Sequence, residues 1–338
     1  MEETRILSDS KEDLDYAANL IKNGKVVGIP TETVYGLGAD AVNPEAVRAV
    51  FAAKGRPADN PLIVHICSIN TVKLLAHDVP ELFYRLADRF WPGPLTMIVP
   101  KNKIVPYETS GGLETVGIRM PSHPVMKKLI ALAGPIAAPS ANKSGYPSPT
   151  TAQHVLNDMK NIIPAIIDGG ECNYGVESTV ICFDDENTVR ILRPGSITKE
   201  MIEEIAGKVI VDDAIINDIQ EGRKVLSPGM KYKHYSPKAN VTIIDGNIDD
   251  FCKFIIENNG DNVYCLIHDS DTNYNIPCRY LTYGDNSRQQ AHMLFSKLRE
   301  LDDLGAETVF VRPPSKKGEG LAVYNRLLRA AGFEVIHL

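Results

Sequence analysis

Residues 51–60, FAAKGRPADN, set Lys54 and Arg56 on either side of Gly55. A glycine lets the backbone turn through positive φ at no steric cost. The two heads can then converge on one phosphate group, Lys as a point charge and Arg as a planar fork. The plainer reading is two basic side chains favoured by the dipole at a helix end. Asn60 follows the pair, and His65 falls inside the next apolar strand, where a histidine is more often structural than functional.

Other loops carry polar groups that a plain core would not need. Residues 30–40, PTETVYGLGAD, crowd Thr31, Glu32, Thr33 and Tyr35 at a strand exit, and Gly36 and Gly38 would let a ligand approach the backbone. This is neither G-x-G-x-x-G nor a P-loop. Arg119 interrupts the apolar strand VGIRMP. A buried guanidinium needs a partner, either a protein acid or a ligand carboxylate. Residues 139–149, PSANKSGYPSP, place Ser140, Asn142 and Ser148 ahead of Thr150 and a helix. Hydroxyls and small residues feeding a helix N-terminus suit a phosphate, and they equally suit an ordinary capped turn. VEST at 176–179 and Arg193-Pro194-Gly195 sit at strand ends. Lys54, Arg56, Arg119 and Arg193 are then the cations, with hydroxyls and amides to orient a ligand. That inventory suits a nucleoside triphosphate beside a small carboxylate. No Ser/His/Asp order, H-E-x-x-H or recognisable carboxylate pair supports acyl-enzyme or zinc chemistry.

The elements that must hold these groups follow from pattern. A helix starts after Ser10, buries Leu14, Ala17, Ala18 and Ile21, and ends at Gly24. Asn43 and Pro44 read as N-cap and first turn of the helix that runs to Lys54. Further helices are predicted at 81–90, 124–132 and 151–159. Strands are predicted at 26–29, 61–66, 95–99, 116–120, 136–138, 165–167, 179–183 and 208–211. Their irregular mixture predicts an α/β domain over residues 1–212 built on a twisted mixed sheet. Residues 223–240 hold five Lys or Arg, no acid, two prolines and one glycine. The segment 213–240 therefore reads as a basic, proline-containing linker. Strands at 241–244, 263–268, 308–311 and 334–336 alternate with helices at 249–257, 287–301 and 321–330. That alternation predicts a smaller, Rossmann-like α/β domain over 241–338 with a parallel, doubly wound sheet.

The bulk composition is globular: 338 residues, 43% hydrophobic and 23% charged. The net charge is −7, from 36 basic and 43 acidic residues, which argues against tight nonspecific nucleic-acid binding. Six cysteines form no C-x-x-C pair, so they read as buried thiols. The charged N-terminus MEETRILSDSKEDLD is no signal peptide, and no apolar run approaches ~20 residues. A reducing, cytoplasmic setting is expected, with no membrane span.

Seven segments carry a resemblance: PTETVYGLGADA, KGRPADNPLIVHI, WPGPLT, VGIRMPSHP, APSANKSGYPSPT, GVESTVI and ILRPGSI. In this order they resemble the YrdC-like family. SPGMKYKHYSPKA and GEGLAVYNRLLRAA look like its long, two-domain form, the threonylcarbamoyl-AMP synthases. The match is dense over residues 10–240 and sparse beyond. It implies a YrdC-like catalytic fold that joins ATP, L-threonine and bicarbonate or CO2 into L-threonylcarbamoyl-adenylate and pyrophosphate, for threonylcarbamoyladenosine in tRNA. The family's K-x-R and S-x-N signatures fall on Lys54, Arg56, Ser140 and Asn142, with Lys54 and Arg56 expected on the triphosphate. By the same resemblance Thr33, His65, Arg119, Ser140 and Ser178 are expected around threonine. Arg56, Asn60, Thr115, Asn142, Thr150, Arg193 and Tyr235 are expected around ATP. Mg²⁺ is expected to accompany the nucleotide on phosphate oxygens and water, with no dedicated protein cage. Tyr235 belongs to a linker read either as a lid over the site or as a solvated tether. Partner proteins of tRNA modification are a further expectation.

Two other readings compete. One is an RNA-binding protein without this activity, which the negative charge and the lack of interleaved aromatics disfavour. The other is a carbamoyltransferase of the hydrogenase-maturation type, which would need cysteine-rich zinc fingers that this sequence lacks. Residues 241–338 carry no motif with chemistry and receive no catalytic role.

Overall fold

The computed structural model describes residues 3–55, 57, 60–217 and 235–338. Arg56 and the linker stretch 218–234 lie outside the described residues. Among those described, eleven strands make one sheet: β1 Arg5–Leu7, β2 Val27–Ile29, β3 Gly36–Asp40, β4 Ile63–His65, β5 Leu95–Pro100, β6 Thr115–Arg119, β7 Ile136–Ala138, β8 Ala165–Ile167, β9 Thr179–Phe183, β10 Thr188–Arg193 and β11 Lys208–Val211. Their spatial order is β1-β8-β2-β3-β7-β4-β6-β5-β9-β10-β11. The pairing is mixed, as the irregular sequence pattern predicted: β4 runs parallel to β6 but antiparallel to β7, and β5 is parallel to β9 but antiparallel to β6.

Local chemistry sets the helices that flank the sheet. Ser10 Oγ accepts from the Asp13 amide at 3.2 Å and caps helix Lys11–Lys22, whose Leu14, Ala17, Ala18 and Ile21 are buried. Asn43 caps helix Pro44–Lys54 by accepting from the Glu45 and Ala46 amides, and Gly55 closes it at φ 65°. Helix Glu81–Phe90 buries Leu82, Phe83, Leu86 and Phe90. Each such side chain contributes about 2 kcal/mol on leaving water.

Strand β3 departs from the sequence reading, which took residues 30–40 as a loop open to a ligand. A Cβ at Gly38 would lie 2.8 Å from Ile29 Cδ1, and one at Gly36 3.1 Å from Ala138 Cβ. Both glycines let neighbouring strands pack closely.

The second sheet contains β12 Asn240–Asp245, β13 Val263–Ile267, β14 Arg279–Thr282, β15 Thr308–Val311 and β16 Val335–His337, in the order β14-β13-β15-β12-β16. Every pairing in it is parallel, as predicted. Helices Ile248–Asn258, Ser287–Asp303 and Gly320–Ala330 follow its strands. The two sheets share apolar packing: Val34 and Val176, from loops of the first, join Tyr235, Tyr283, Phe295 and Leu327 in one core. Among the described residues, the ion pairs Arg299–Asp158 at 2.7 Å and Arg326–Glu177 at 2.8 Å also cross, and His292 Nε2 lies 3.5 Å from Glu171 Oε1. No helix among the described residues is long and apolar enough to cross a membrane.

Candidate active site

One row of side chains runs across adjacent strands. Arg119 on β6 stands opposite His65 on β4 and opposite Thr96 on β5. Directly opposed residues share a face of the sheet. The row continues to Ser178 at the entry to β9, whose Oγ lies 2.9 Å from Thr96 Oγ1. On the other side of β9 the pairing with β10 slips between Ile191 and Arg193. Such a bulge re-aims the side chain beside it. Arg193 turns back over Ser178, with Nε donating to the Ser178 carbonyl and Nη2 to Ser178 Oγ, both at 3.1 Å.

Two loops close the other walls. At the exit of β2, Thr31 Oγ1 accepts from the Thr33 amide at 3.1 Å and fixes a tight turn. Thr33 Oγ1 then accepts from Arg119 Nη1 at 3.0 Å, while Arg119 Nη2 lies 2.8 Å from Glu32 Oε1. The buried arginine therefore has a protein acid beside it. Lys54, at the last turn of its helix, is 3% exposed. Its Nζ donates to Ser140 O at 2.6 Å, Asn142 O at 2.8 Å and Asn142 Oδ1 at 3.0 Å. The ammonium thus organises the loop after β7.

These walls enclose one cavity. Thr33, Lys54, His65, Arg119, Ser140, Asn142, Ser178, Arg193 and Tyr235 all line it. Thr115 lies elsewhere, lining a smaller adjoining cavity that shares Pro61, Leu62 and Ile63 with the first. Asn60 is buried, and its Oδ1 has no hydrogen-bond partner among the described residues. Thr150 is fully buried outside the lining, its Oγ1 3.4 Å from His154 Nδ1. Arg56 lies outside the described residues.

Burial, reinforced by the nearby Arg119 charge, pushes His65 down to about 3, so its ring is neutral. Its Nδ1 faces the Ile136 carbonyl at 3.3 Å, which can only accept. That partner assigns the proton to Nδ1 and leaves Nε2 as an acceptor. Burial also lowers Arg193, to about 10, yet it stays cationic at neutral pH. Burial opposes ionisation of Glu177, but Arg326, Arg193 and Ser148 outweigh it and hold the carboxyl below its ordinary range. Among its described lining residues the cavity therefore offers three cations, several hydroxyls and a neutral imidazole. Fixed donors of this kind stabilise charge that develops on a bound anion.

Sequence reasoning missed Thr96, Glu177 and Arg326 as members of this neighbourhood. Thr96 and Glu177 stood inside quoted motifs, WPGPLT and GVESTVI. Arg326 stands in GEGLAVYNRLLRAA, where helical periodicity gave no sign of its partner in the first sheet.

A family model described as telomere recombination, named for Sua5, YciO and YrdC, matches residues 19–195. A second, described as the threonylcarbamoyl-AMP synthase C-terminal domain, matches residues 197–332. The threonylcarbamoyl-AMP synthase of Pyrococcus abyssi is 45% identical over 330 residues, covering 95% of this chain and 94% of that relative. That of Bacillus subtilis is 43% identical over 336 residues, covering 98% and 96%. The crystal structure of P. abyssi Sua5 with L-threonine is 42% identical and superposes with a TM-score of 0.92 over 99% of this chain and 100% of that one. The chain belongs to the threonylcarbamoyl-AMP synthase family.

Proposed function

We propose that this chain is a nucleotidyltransferase that joins ATP, L-threonine and bicarbonate or CO2 into L-threonylcarbamoyl-adenylate and pyrophosphate. The product feeds threonylcarbamoyladenosine synthesis on tRNA, through partner proteins that accept the intermediate in the cytoplasm. The observation that carries this reading is the convergence of Lys54, Arg119 and Arg193 with Thr33, Ser140 and Ser178 on one cavity in a chain of this family.

The neutral amine of threonine first takes up the one-carbon unit. The resulting carbamate is a weak nucleophile, so attack on the α-phosphorus depends chiefly on positioning. Lys54 and Arg56 are assigned to the triphosphate, where fixed cations balance the charge that spreads during transfer. Asn60, Thr115, Asn142, Thr150, Arg193 and Tyr235 are assigned to the nucleotide. Thr33, His65, Arg119, Ser140 and Ser178 are assigned to threonine. A guanidinium has five N–H donors. Nη1 and Nε of Arg119 face Thr33 Oγ1 and the Gly93 carbonyl, and its Nη2 group meets Glu32, so donors remain for a carboxylate. His65 Nε2 suits the threonine hydroxyl, and a buried acceptor left unpaired would discriminate against valine. Mg²⁺ would accompany ATP as counter-charge on its phosphates rather than in a dedicated protein cage. Residues 1–212 form the catalytic unit, Tyr235 of the linker 213–240 meets the nucleotide, and 241–338 form the smaller unit.

Mass spectrometry after incubation with ATP, threonine and bicarbonate tests this directly. The adenylate and pyrophosphate should appear only when threonine is present. RNA retention with no threonine-dependent product would overturn the reading in favour of a binding protein.

A further inference from the structure

The cavity wall contains a carboxylate that a site for anions has no evident use for. Glu177 lines it and is 6% exposed. Its Oε1 accepts from Ser148 Oγ at 2.5 Å and its Oε2 from Arg326 Nε at 2.8 Å. Arg326 lies on helix Gly320–Ala330 of the second sheet and is fully buried. Its Nη1 donates to the Pro194 carbonyl at 2.9 Å and to Asn325 Oδ1 at 2.9 Å. A fully buried guanidinium reaching between sheets is costly unless its acceptors are fixed.

The residues it holds are telling. Glu177 immediately precedes Ser178, and Pro194 immediately follows Arg193. Ser178 and Arg193 both line the cavity and bond one another. One guanidinium therefore ties together the two chain segments that deliver them. It also neutralises Glu177, the carboxylate among the described lining residues, which would otherwise repel a polyanion. The Arg326 guanidinium carbon also lies 5.8 Å from the centre of the Tyr235 ring, another wall of the cavity.

The geometry points to Arg326 as a positioning residue for the proposed reaction: the second sheet inserts it beneath the site to neutralise Glu177 and to hold in place the two segments that carry Ser178 and Arg193. This rests on the functional reading above and assigns residues 241–338 a part in substrate binding. Without Arg326 the Glu177 charge is stranded at the cavity wall and the anion site weakens.

The test is steady-state kinetics of adenylate formation with the full chain. Arg326→Gln should raise KM for ATP on the order of tenfold or more, with kcat at saturation falling less. Arg326→Lys keeps the charge but not the fork, so it should fall between the two. Adding Glu177→Gln to Arg326→Gln removes the stranded charge and should regain most of the lost ATP affinity, a coupling that a merely structural role would not produce. Should Arg326→Gln fail to fold, the Lys variant and the double variant carry the test. An unchanged KM in the Lys variant, or a double variant no better than the worse single one, overturns the inference alone. A wild-type chain that makes no adenylate overturns the functional reading and the inference with it.

Discussion

Lys54 shows how one residue can serve both fold and chemistry. Its ammonium is buried among oxygens of Ser140 and Asn142 at the edge of the cavity. Lys54→Met should lower kcat/KM on the order of 100-fold, the scale for losing one fixed cation at a reacting anion. Lys54→Arg should not restore it, because a planar fork cannot meet oxygens arranged around a point. Pyrophosphate release measures both, and an active Met variant would remove Lys54 from the triphosphate. His65 makes a different prediction. The unfolded chain takes up its proton near the ordinary 6.5, whereas the folded chain resists until about 3. His154, lowered to about 4 mainly by burial, acts in the same sense. The unfolded state thus binds more protons, so stability is complete above 6.5 and falls as pH drops towards the folded values. His65→Asn, which keeps a donor for Ile136, should lose less stability than wild type between about pH 7.5 and pH 5 in urea unfolding. Equal losses would mean that His65 charging is not a source of the acid lability.

At the scale of elements, the turn after β10 is the tightest part of the site. A Cβ at Gly195 would lie 2.3 Å from the Thr179 amide nitrogen and 2.7 Å from Thr179 Oγ1. Backbone cannot yield as a side chain can. Thr179 is committed further, since its amide donates to the Pro94 carbonyl and its hydroxyl bonds Ile197. Gly195→Ala should therefore cost about 2 kcal/mol or more of stability, as overpacking does, and displace Arg193 two residues earlier. Gly207→Ala is the control: its nearest neighbour is Asn187 O at 3.4 Å, so the change should stay within about 0.5 kcal/mol. Similar unfolding midpoints for the two variants would refute the close-approach argument. The same elements show what a sequence can disclose. Helix Pro44–Lys54 was legible because its cap, first-turn proline and terminal glycine are all local signals. Cavity residues such as Lys54, Ser140 and Arg119 were legible because they stand in segments that resemble a known family. Strand β3 was not, since Gly36 and Gly38 read as loop residues until the neighbouring strands are in place. Arg326 was invisible for a related reason. Its partner Glu177 lies 149 residues away, and nothing in a helical period announces a contact at that distance.

At the scale of the molecule, the two sheets depend on one another through packing and charge together. Val34 and Val176 are buried against the second sheet's core, and Glu177 and Asp158 each have their counter-ion there. Ending the chain after residue 212 strips all of these at once. The fragment should make no detectable adenylate and unfold at lower temperature, since breaking a buried ion pair costs about 3–5 kcal/mol. Full activity in the fragment would defeat both the nucleotide contact of Tyr235 and the cross-sheet role of Arg326. Loss of activity alone has too many causes, so the sign of a second change decides. In the full chain Glu177→Gln leaves Arg326 buried without its anion and should destabilise. In the fragment the same change removes a carboxylate that has lost its partner and should stabilise, by a smaller amount because water now reaches position 177. Urea unfolding of the four proteins measures that reversal. If Glu177→Gln shifts stability in the same direction in both contexts, the Arg326–Glu177 pair does not couple the sheets.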